Sequence, residues 1–159
     1  MYDLFLQSFK VNFDNIYRKL ENAVAICPEE LWAKKAGGFI FWQQLYHAFA
    51  IIDFFILAPG GQAHQALFDA DVYRLLREER HAPDKAKILE VATVMKAAVH
   101  AYCDAMTPEK LAARNENRSQ RFGREISNGE ALMLLIGHGM YHIGACDAVF
   151  REHGIQGLM

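Results

Sequence analysis

The sequence predicts an all-α protein, a four-helix bundle with one or two short additional helices. Four segments carry apolar residues at alternating steps of four and three, the spacing of a helix face packed inside a bundle. No segment shows the strict alternation of apolar and polar residues that predicts a half-buried strand. Proline, glycine and helix-capping residues stand between the four segments. Amphipathic helices of this length bury their apolar faces best against one another, which gives the bundle.

Length, charge and composition narrow the function. A chain of 159 residues forms one domain with a full core, so we expect a single bundle domain over residues 1–159. A net charge of -2 gives no reason to expect a nucleic-acid partner. The sequence begins without a signal-peptide pattern, and its longest apolar run is too short to span a bilayer, so we expect no membrane partner. The cysteines lack a disulfide framework and are expected to be free thiols in a reducing cytoplasm: Cys27, Cys103 and Cys146.

The first helix is predicted over residues 2–24, where apolar residues recur at steps of four and three. Pro28 ends it, because a proline disfavours the helical conformation at the residue before it. Residues 34–38, which end in two glycines, are predicted to be a flexible connector.

The second helix is predicted from Ile40 to Leu57 and is closed by Pro59 and two glycines. It is apolar nearly all round, so we expect it to be well buried. His47 lies in its middle. Taken alone, this histidine is most simply a core residue that donates to a backbone carbonyl or to Asp53.

The apolar pattern weakens after the second helix and then returns. Residues 60–82 are the least regular part of the chain, with a short helix predicted at residues 68–75. A third long helix is predicted over residues 83–106, and its initial proline suits a first helical turn. Residues 107–113 form a short helical turn that begins with a threonine cap and a proline. Residues 114–125 are polar and basic and are predicted to be a surface loop.

The fourth long helix has clear ends and an unusual core face. Ser127 and Glu130 form a capping box at its start, and Gly154 stands where a left-handed C-terminal cap is expected. Two core-type positions between these ends are histidines, His138 and His142. Side chains four residues apart lie one above the other on a helix and reach a single metal ion. The alternative is that each is a core histidine hydrogen-bonded to a neighbour.

Two histidines are too few for a transition-metal site, and a third ligand has to come from another helix. Metal sites in bundles are built from inward side chains on facing helices. Three imidazoles suit zinc, nickel, iron or copper. They leave coordination positions open, which is the pattern of a catalytic site. The sequence therefore predicts an open site for a divalent transition metal, held by His47, His138 and His142.

Other side chains compete for a place in this site. Cys146 continues the face of the two histidines, but it lies roughly 12 Å along the helix from His138, at about 1.5 Å per residue, and is better explained as a core residue. The best rival ligand cluster is on the third helix, one step off its apolar face: His100, Cys103 and Asp104.

The remaining polar and small residues have simpler interpretations. Asp53 is either an acceptor that fixes an imidazole tautomer or an exposed helix residue. The glycines of the last helix are expected to let a neighbouring backbone or a ligand come close: Gly137, Gly139 and Gly144. Three histidines in loops or at helix ends are expected to be solvated: His64, His81 and His153.

Two histidine motifs and their helix placement carry a family resemblance. The second helix reads Phe41-Trp42-Gln-Gln-Leu-Tyr-His47, and the last reads His138-Gly-Met-Tyr-His142-Ile-Gly144 with Arg151 beyond it. With the Pro28-Glu-Glu-Leu-Trp32 segment and the Gly-Gly pair before the second helix, the chain resembles the DinB/YfiT-like superfamily over nearly its whole length. Members of that superfamily are bacterial four-helix bundles, mostly classed as metal-dependent enzymes. The resemblance implies that the three histidines are metal ligands and that solvent completes the shell.

The resemblance also suggests a chemistry. The family includes enzymes that transfer a low-molecular-weight thiol to electrophiles or use it in a cis–trans isomerisation. It therefore implies a thiol-dependent transferase that acts on a small electrophile. Residues 59–83 depart from the simplest family pattern, and a loop at this place would cap the mouth of the site and set the substrate.

The alternative function is a non-catalytic metal-binding bundle that serves as a ligand- or protein-binding module. An enzyme needs a solvent-accessible ion beside a pocket, whereas a binding module works with a closed site or none. The expected partner is a small-molecule substrate or thiol. The phenylalanine-rich helices also make a homodimer plausible.

Overall fold

Helices make up most of the chain in the computed structural model, which describes residues 2–64 and 66–158. In chain order the helices of these residues are α1 (Tyr2–Ile26), α2 (Glu29–Trp32), α3 (Phe41–Ala50), α4 (Asp53–Ile56), α5 (Ala70–Tyr73), α6 (Lys85–Asp104), α7 (Pro108–Ala112), α8 (Glu116–Phe122) and α9 (Asn128–Glu152). A short antiparallel hairpin lies between α2 and α3: β1 (Lys35–Ala36) and β2 (Phe39–Ile40). The predicted all-α class is confirmed.

Four of these helices form the bundle. α1 packs against α6 and α9, and α3 packs against the same two helices. Their apolar residues meet in one core cluster. On α1 the buried residues follow the predicted steps of four and three: Leu6, Phe9, Phe13, Ile16, Leu20 and Ala23. The periodicity therefore identified the faces that the bundle buries.

Both ends of α9 are as predicted. The Ser127 hydroxyl accepts from the Glu130 N–H at 3.1 Å, and the Glu130 carboxylate accepts from the Ser127 N–H at 2.9 Å. Gly154 has a φ of 70°, in the left-handed region expected of a C-terminal cap. By length and composition alone α9 is long and apolar enough to cross a membrane. Core helices of bundles meet the same criteria, and α9 packs against α1, α3 and α4.

The predicted flexible connector at residues 34–38 is a defined hairpin instead. Lys35 pairs with Ile40 and Ala36 with Phe39. The turn residues Gly37 and Gly38 have φ values of 66° and 92°, which matches the positive φ values that tight hairpin turns require. Two-residue strands are too short to produce an alternating pattern, so the two glycines are the only sign of this hairpin in the sequence.

The predicted second helix, Ile40 to Leu57, is divided into α3 and α4. At the division the Ile52 N–H bonds to the Phe49 carbonyl, three residues back, and the Phe55 N–H bonds to the Ile52 carbonyl in the same way. The adjacent β-branched residues Ile51 and Ile52 have modest helix propensity, which favours a tightened turn here. The division turns Phe55 toward the last helix.

The predicted surface loop at residues 114–125 contains a helix, α8. The Asn115 side chain caps its start by accepting from the Arg118 N–H at 3.0 Å, and Gly123 ends it with a φ of 64°. The side-chain amides of Asn115 and Asn117 each donate at 2.8 Å to a carbonyl at the end of α4, those of Phe55 and Leu57. These bonds hold α8 against α4 and bury part of its basic face.

The short helices are more numerous than the one or two that the sequence predicted. α5 and α7 lie inside the segments predicted at residues 68–75 and 107–113. α2, α4 and α8 are additional, because each spans too few residues for its apolar spacing to be recognised.

The irregular segment after α4 folds across α3. The buried Gln43 side chain donates to the Val72 carbonyl at 3.0 Å and to the Arg77 carbonyl at 2.6 Å, and it accepts from the Glu79 N–H at 3.1 Å. These three bonds place the backbone around α5 beside His47, one turn further along α3.

Candidate metal centre

The structure brings the three predicted histidines together between α3 and α9. The Nε2 atom of His138 lies 3.0 Å from Nε2 of His47 and 3.2 Å from Nε2 of His142. One ligand atom from each residue lies within 4.8 Å of the other two. The i, i+4 spacing on α9 places two of the rings side by side in an edge-to-face arrangement, with an interplanar angle of 65°, and α3 supplies the third from the facing side.

The tautomer of His47 is set by a backbone carbonyl. Its Nδ1 atom lies 2.6 Å from the Tyr73 carbonyl oxygen. A carbonyl only accepts, so Nδ1 carries the proton and Nε2 keeps its lone pair facing the other two rings. His47 therefore donates to a backbone carbonyl, as expected of a core histidine. Metal-binding histidines usually donate their second ring N–H in the same way, so this contact is also compatible with a metal ligand.

Burial keeps all three imidazoles neutral. Desolvation, followed by the neighbouring imidazoles, lowers the pKa of His142 to about 2. Desolvation, then His47 and Arg118, lowers the pKa of His138 to about 3. The pKa of His47 is also lowered, first by desolvation. Metal ions bind the neutral form of imidazole, so the ligand atoms are available at neutral pH.

The three residues fit a bound cation. Their Nε2 atoms converge, and a cation bound between them would accept one lone pair from each neutral ring. The buried Nδ1 atoms of His138 and His142 have no hydrogen-bond partner among residues 2–64 and 66–158. The cluster therefore has the donor set of a nitrogen-ligated transition-metal site.

A buried arginine stands beside the cluster, and the sequence analysis missed it. The Arg118 Cζ atom lies 3.3 Å from the ring centroid of Phe55 and 4.4 Å from that of Phe54. The Phe55 ring in turn lies 5.7 Å from the His138 ring. The polar, basic sequence around Arg118 predicts a surface loop. The Asn115 cap and Gly123 were the available signals of the helix that buries it.

Two cavities border the histidines. One, of about 470 Å³, is lined by His47, Ile51, Phe54, Phe55, Arg74, Leu76, Arg118, Arg121 and His138. The other, of about 810 Å³, has mostly apolar walls from α1, α7 and α9 and includes Tyr2, Phe5, Met133, Leu134, Gly137 and His138. His138 lines both cavities. The segment predicted to cap the site contributes Arg74 and Leu76 to the first.

The model of the DinB superfamily matches residues 12–146 of this sequence. The chain belongs to the DinB superfamily. No functionally curated protein matches the sequence. The predicted family is therefore confirmed, and the histidine cluster of this DinB-superfamily chain is compatible with metal binding.

The rival clusters of this DinB-superfamily protein lie elsewhere. His100 on α6 pairs with Asp14 of α1 at 2.8 Å. Asp53 pairs with His64 at 2.5 Å, so it is neither an imidazole-orienting acceptor for the cluster nor a free surface residue. Cys146 is buried and accepts from the Gln44 side chain at 3.3 Å, as expected of a core residue. The three histidines expected to be solvated are exposed: His64, His81 and His153.

The glycines of α9 differ from one another. A Cβ atom on Gly139 would lie 2.5 Å from Cγ2 of Ile16, so this glycine is needed for the close approach of α1. The sequence predicted a neighbouring backbone or a ligand beside these glycines, whereas the neighbour of Gly139 is the Ile16 side chain. A Cβ on Gly137 or Gly144 meets nothing within 4 Å. Gly137 instead lines the larger cavity.

Proposed function

We propose that this protein is a metal-dependent enzyme in which His47, His138 and His142 hold a zinc, nickel or iron ion. The observation that carries the proposal is the convergence of three Nε2 atoms beside a cavity that His47 and His138 line. Three protein ligands leave room for solvent and a reactant, whereas a structural site is usually closed by four. When bound, such an ion supplies a Lewis acid that lowers the pKa of a coordinated thiol or water.

The chain's own residues prepare this site for a reactant. The Tyr73 carbonyl holds His47 in the tautomer that presents Nε2. Phe54 and Phe55 give one side of the cavity an apolar wall. The Arg118 guanidinium adds a positive charge close to the histidines, which favours an anion over its protonated form.

We further propose that the reaction transfers a low-molecular-weight thiol to a small electrophile. The cysteines of this chain do not supply the nucleophile. All three are buried, and desolvation raises the pKa of Cys27 to about 12 and those of Cys103 and Cys146 to about 11. A thiolate nucleophile therefore has to come from a small molecule, and the cavity of about 470 Å³ has the volume of a small-molecule site.

The first test is metal content, measured by elemental analysis on protein purified without a His-tag. We expect about one ion per chain in wild type, by the three-ligand stoichiometry, and loss of the ion in His47→Ala and His142→Ala. His100→Ala is the matched control, since that histidine pairs with Asp14 away from the cluster, and it should retain the ion. Wild type that stays metal-free after incubation with zinc, nickel and iron contradicts the proposal.

The second test concerns the thiol and uses protein loaded with cobalt. Addition of 2-mercaptoethanol should produce a thiolate-to-cobalt charge-transfer absorption in wild type and none in His142→Ala. A cobalt spectrum that no thiol changes would remove the transferase proposal while leaving the metal site in place.

The second candidate function is a non-catalytic metal-binding bundle that binds a ligand or a protein. The mostly apolar cavity of about 810 Å³ beside Met133 and Leu134 favours it, because such walls bind an apolar ligand without chemistry. The cobalt experiment separates the two candidates, since only the enzyme requires a thiol to reach the metal.

We also propose that the chain forms a homodimer. α1 and α9 expose large apolar side chains: Leu4, Val11, Met133, Met140 and Tyr141. Light scattering should give twice the chain mass of 18.1 kDa, and a monomer at micromolar concentration would contradict this.

A further inference from the structure

The cavity of about 470 Å³ contains a buried positive charge, and none of residues 2–64 and 66–158 supplies a counter-charge to it. Arg118 is 8% exposed. Its Nε and Nη2 atoms are buried and have no hydrogen-bond partner in the described part of the chain. Burial, followed by Arg121, lowers the pKa of Arg118 to about 10, so the guanidinium is still charged at neutral pH.

This arrangement lowers the stability of the folded chain. Removing a cation from water without pairing it is unfavourable, and buried arginines are normally matched by a carboxylate or several carbonyls. The faces of Phe55 and Phe54 offset part of this penalty through cation–π contact. They leave the N–H donors at the edge of the guanidinium unsatisfied.

Two more arginines line the same cavity. Arg74 and Arg121 are exposed, and neither forms an ion pair within residues 2–64 and 66–158. Arg74 lies with its Cζ atom 5.8 Å from the rings of Phe54 and Tyr73. The described lining of the cavity holds three guanidinium groups, two of the cluster imidazoles and no aspartate or glutamate. The charged side chains of this lining are therefore all positive.

We propose that this cavity binds a small molecule with a carboxylate group, held by Arg118 inside and by Arg121 and Arg74 at the mouth. The planar fork of a guanidinium matches a carboxylate in two parallel hydrogen bonds, which satisfies the donors that the protein leaves free. His47 and His138 line the same cavity, so the other end of the molecule faces the histidine cluster. The proposal rests on the proposed function for the reaction that follows, but the anion site itself does not require the metal.

The test begins with metal-free protein, so that a carboxylate cannot bind through an ion. Calorimetric titrations with benzoate and with benzamide, its neutral isostere, measure how the ligand's negative charge affects affinity while its shape stays the same. We expect benzoate to bind wild type at least about tenfold more tightly than benzamide, the range of a charge-assisted pair. We expect that preference to be lost in Arg118→Met and reduced in Arg121→Gln. Arg114→Gln is the control, because Arg114 pairs with Glu116 outside the cavity.

Thermal unfolding distinguishes a binding role from a structural one. If Arg118 serves a ligand, Arg118→Met unfolds at the same or a higher temperature than wild type without ligand, since an unpaired buried charge is gone. A structural arginine gives the opposite shift. If Arg118→Met does not fold, benzoate titrations of Arg121→Gln and Arg74→Gln test the proposal instead, because these two variants change exposed side chains.

The carboxylate has two possible sources, the thiol or the electrophile, and cobalt-loaded protein separates them. If the thiol carries it, 3-mercaptopropionate saturates the charge-transfer absorption at lower concentration than 2-mercaptoethanol, and Arg118→Met removes the difference. If the two thiols saturate alike while benzoate still binds, the electrophile carries it. Equal binding of benzoate and benzamide, or benzoate binding that the arginine variants leave unchanged, overturns the proposal.

If the protein binds benzoate through Arg118 but never takes up metal, the anion-site proposal stands and the enzyme proposal is wrong. If the protein takes up metal but does not bind benzoate selectively, the metal-site proposal stands and the anion-site proposal is wrong. The two proposals therefore fail separately.

Discussion

At the scale of single residues, burial and mutual proximity act in the same direction on the histidine cluster, because each lowers the pKa of the imidazoles. The rings are buried enough to stay neutral, and their Nε2 atoms face one another at 3.0 and 3.2 Å. The position of each ring follows from helix geometry, which is why the sequence predicted the cluster: i, i+4 spacing on one helix and a single inward histidine on another. No periodic pattern in the sequence predicts that Arg118 is buried, because its burial depends on how α8 packs against α4.

The cluster makes the stability of the metal-free protein sensitive to acid. The pKa values of His138 and His142 are about 3 and about 2 in the folded chain, against about 6.5 in an unfolded one. Between these values the unfolded chain binds more protons, so stability is lost as pH falls below about 6.5. Each histidine that stays neutral contributes a slope of about 1.4 kcal/mol per pH unit.

Urea unfolding of metal-free protein between pH 7.5 and 4.5 measures this slope. We expect His138→Gln to flatten it by up to about 1.4 kcal/mol per pH unit, because one titrating group is removed. Met133→Gln on the same helix is the control, since Met133 is exposed and does not titrate, and it should leave the slope as in wild type. Equal slopes in wild type and His138→Gln would contradict the assignment.

At the scale of elements, long helices were predictable and their short connections were not. α1 and α9 have enough turns for apolar spacing to be recognised and have recognisable ends. β1, β2, α4 and α8 span two to seven residues, too few for a periodic pattern, and α4 and α8 are held together by bonds between residues 60 positions apart. Asn117 shows the reason: its amide bonds to the Leu57 carbonyl, 60 residues away, and nothing local in the sequence specifies that partner.

The packing of α1 on α9 yields a prediction at this scale. Gly139→Ala would place a methyl group 2.5 Å from Cγ2 of Ile16, so we expect a loss of about 1–3 kcal/mol from overpacking. Gly144→Ala on the same helix meets nothing within 4 Å. It should raise stability by roughly 1 kcal/mol through helix propensity. Chemical unfolding of both variants tests the pair, and equal effects would show that the helices approach each other differently.

At the scale of the whole molecule, a metal bound by the three histidines would link α3 to α9 across the bundle. An ion that binds only the folded chain stabilises it by about 2.7 kcal/mol at one hundred times its Kd. We expect zinc to raise the midpoint of thermal unfolding in wild type and to leave His142→Ala unchanged. The same rise in both proteins would place the zinc elsewhere on the chain.

The fold class and the histidine cluster could be predicted from the sequence because both depend on helix periodicity. The cavities could not, because they are the spaces left between elements whose relative placement depends on distant bonds such as those of Gln43 and Asn115. Arg118, on which the proposed carboxylate site depends, is therefore a residue that helical spacing alone does not identify.

His138 lines both cavities, and for the proposed enzyme this predicts the order in which its two reactants bind. Two reactants can reach the cluster from different sides, so neither has to leave before the other enters. Such an enzyme forms a ternary complex, and double-reciprocal plots at several fixed thiol concentrations intersect. Parallel lines would mean that thiol and electrophile take turns in one cavity.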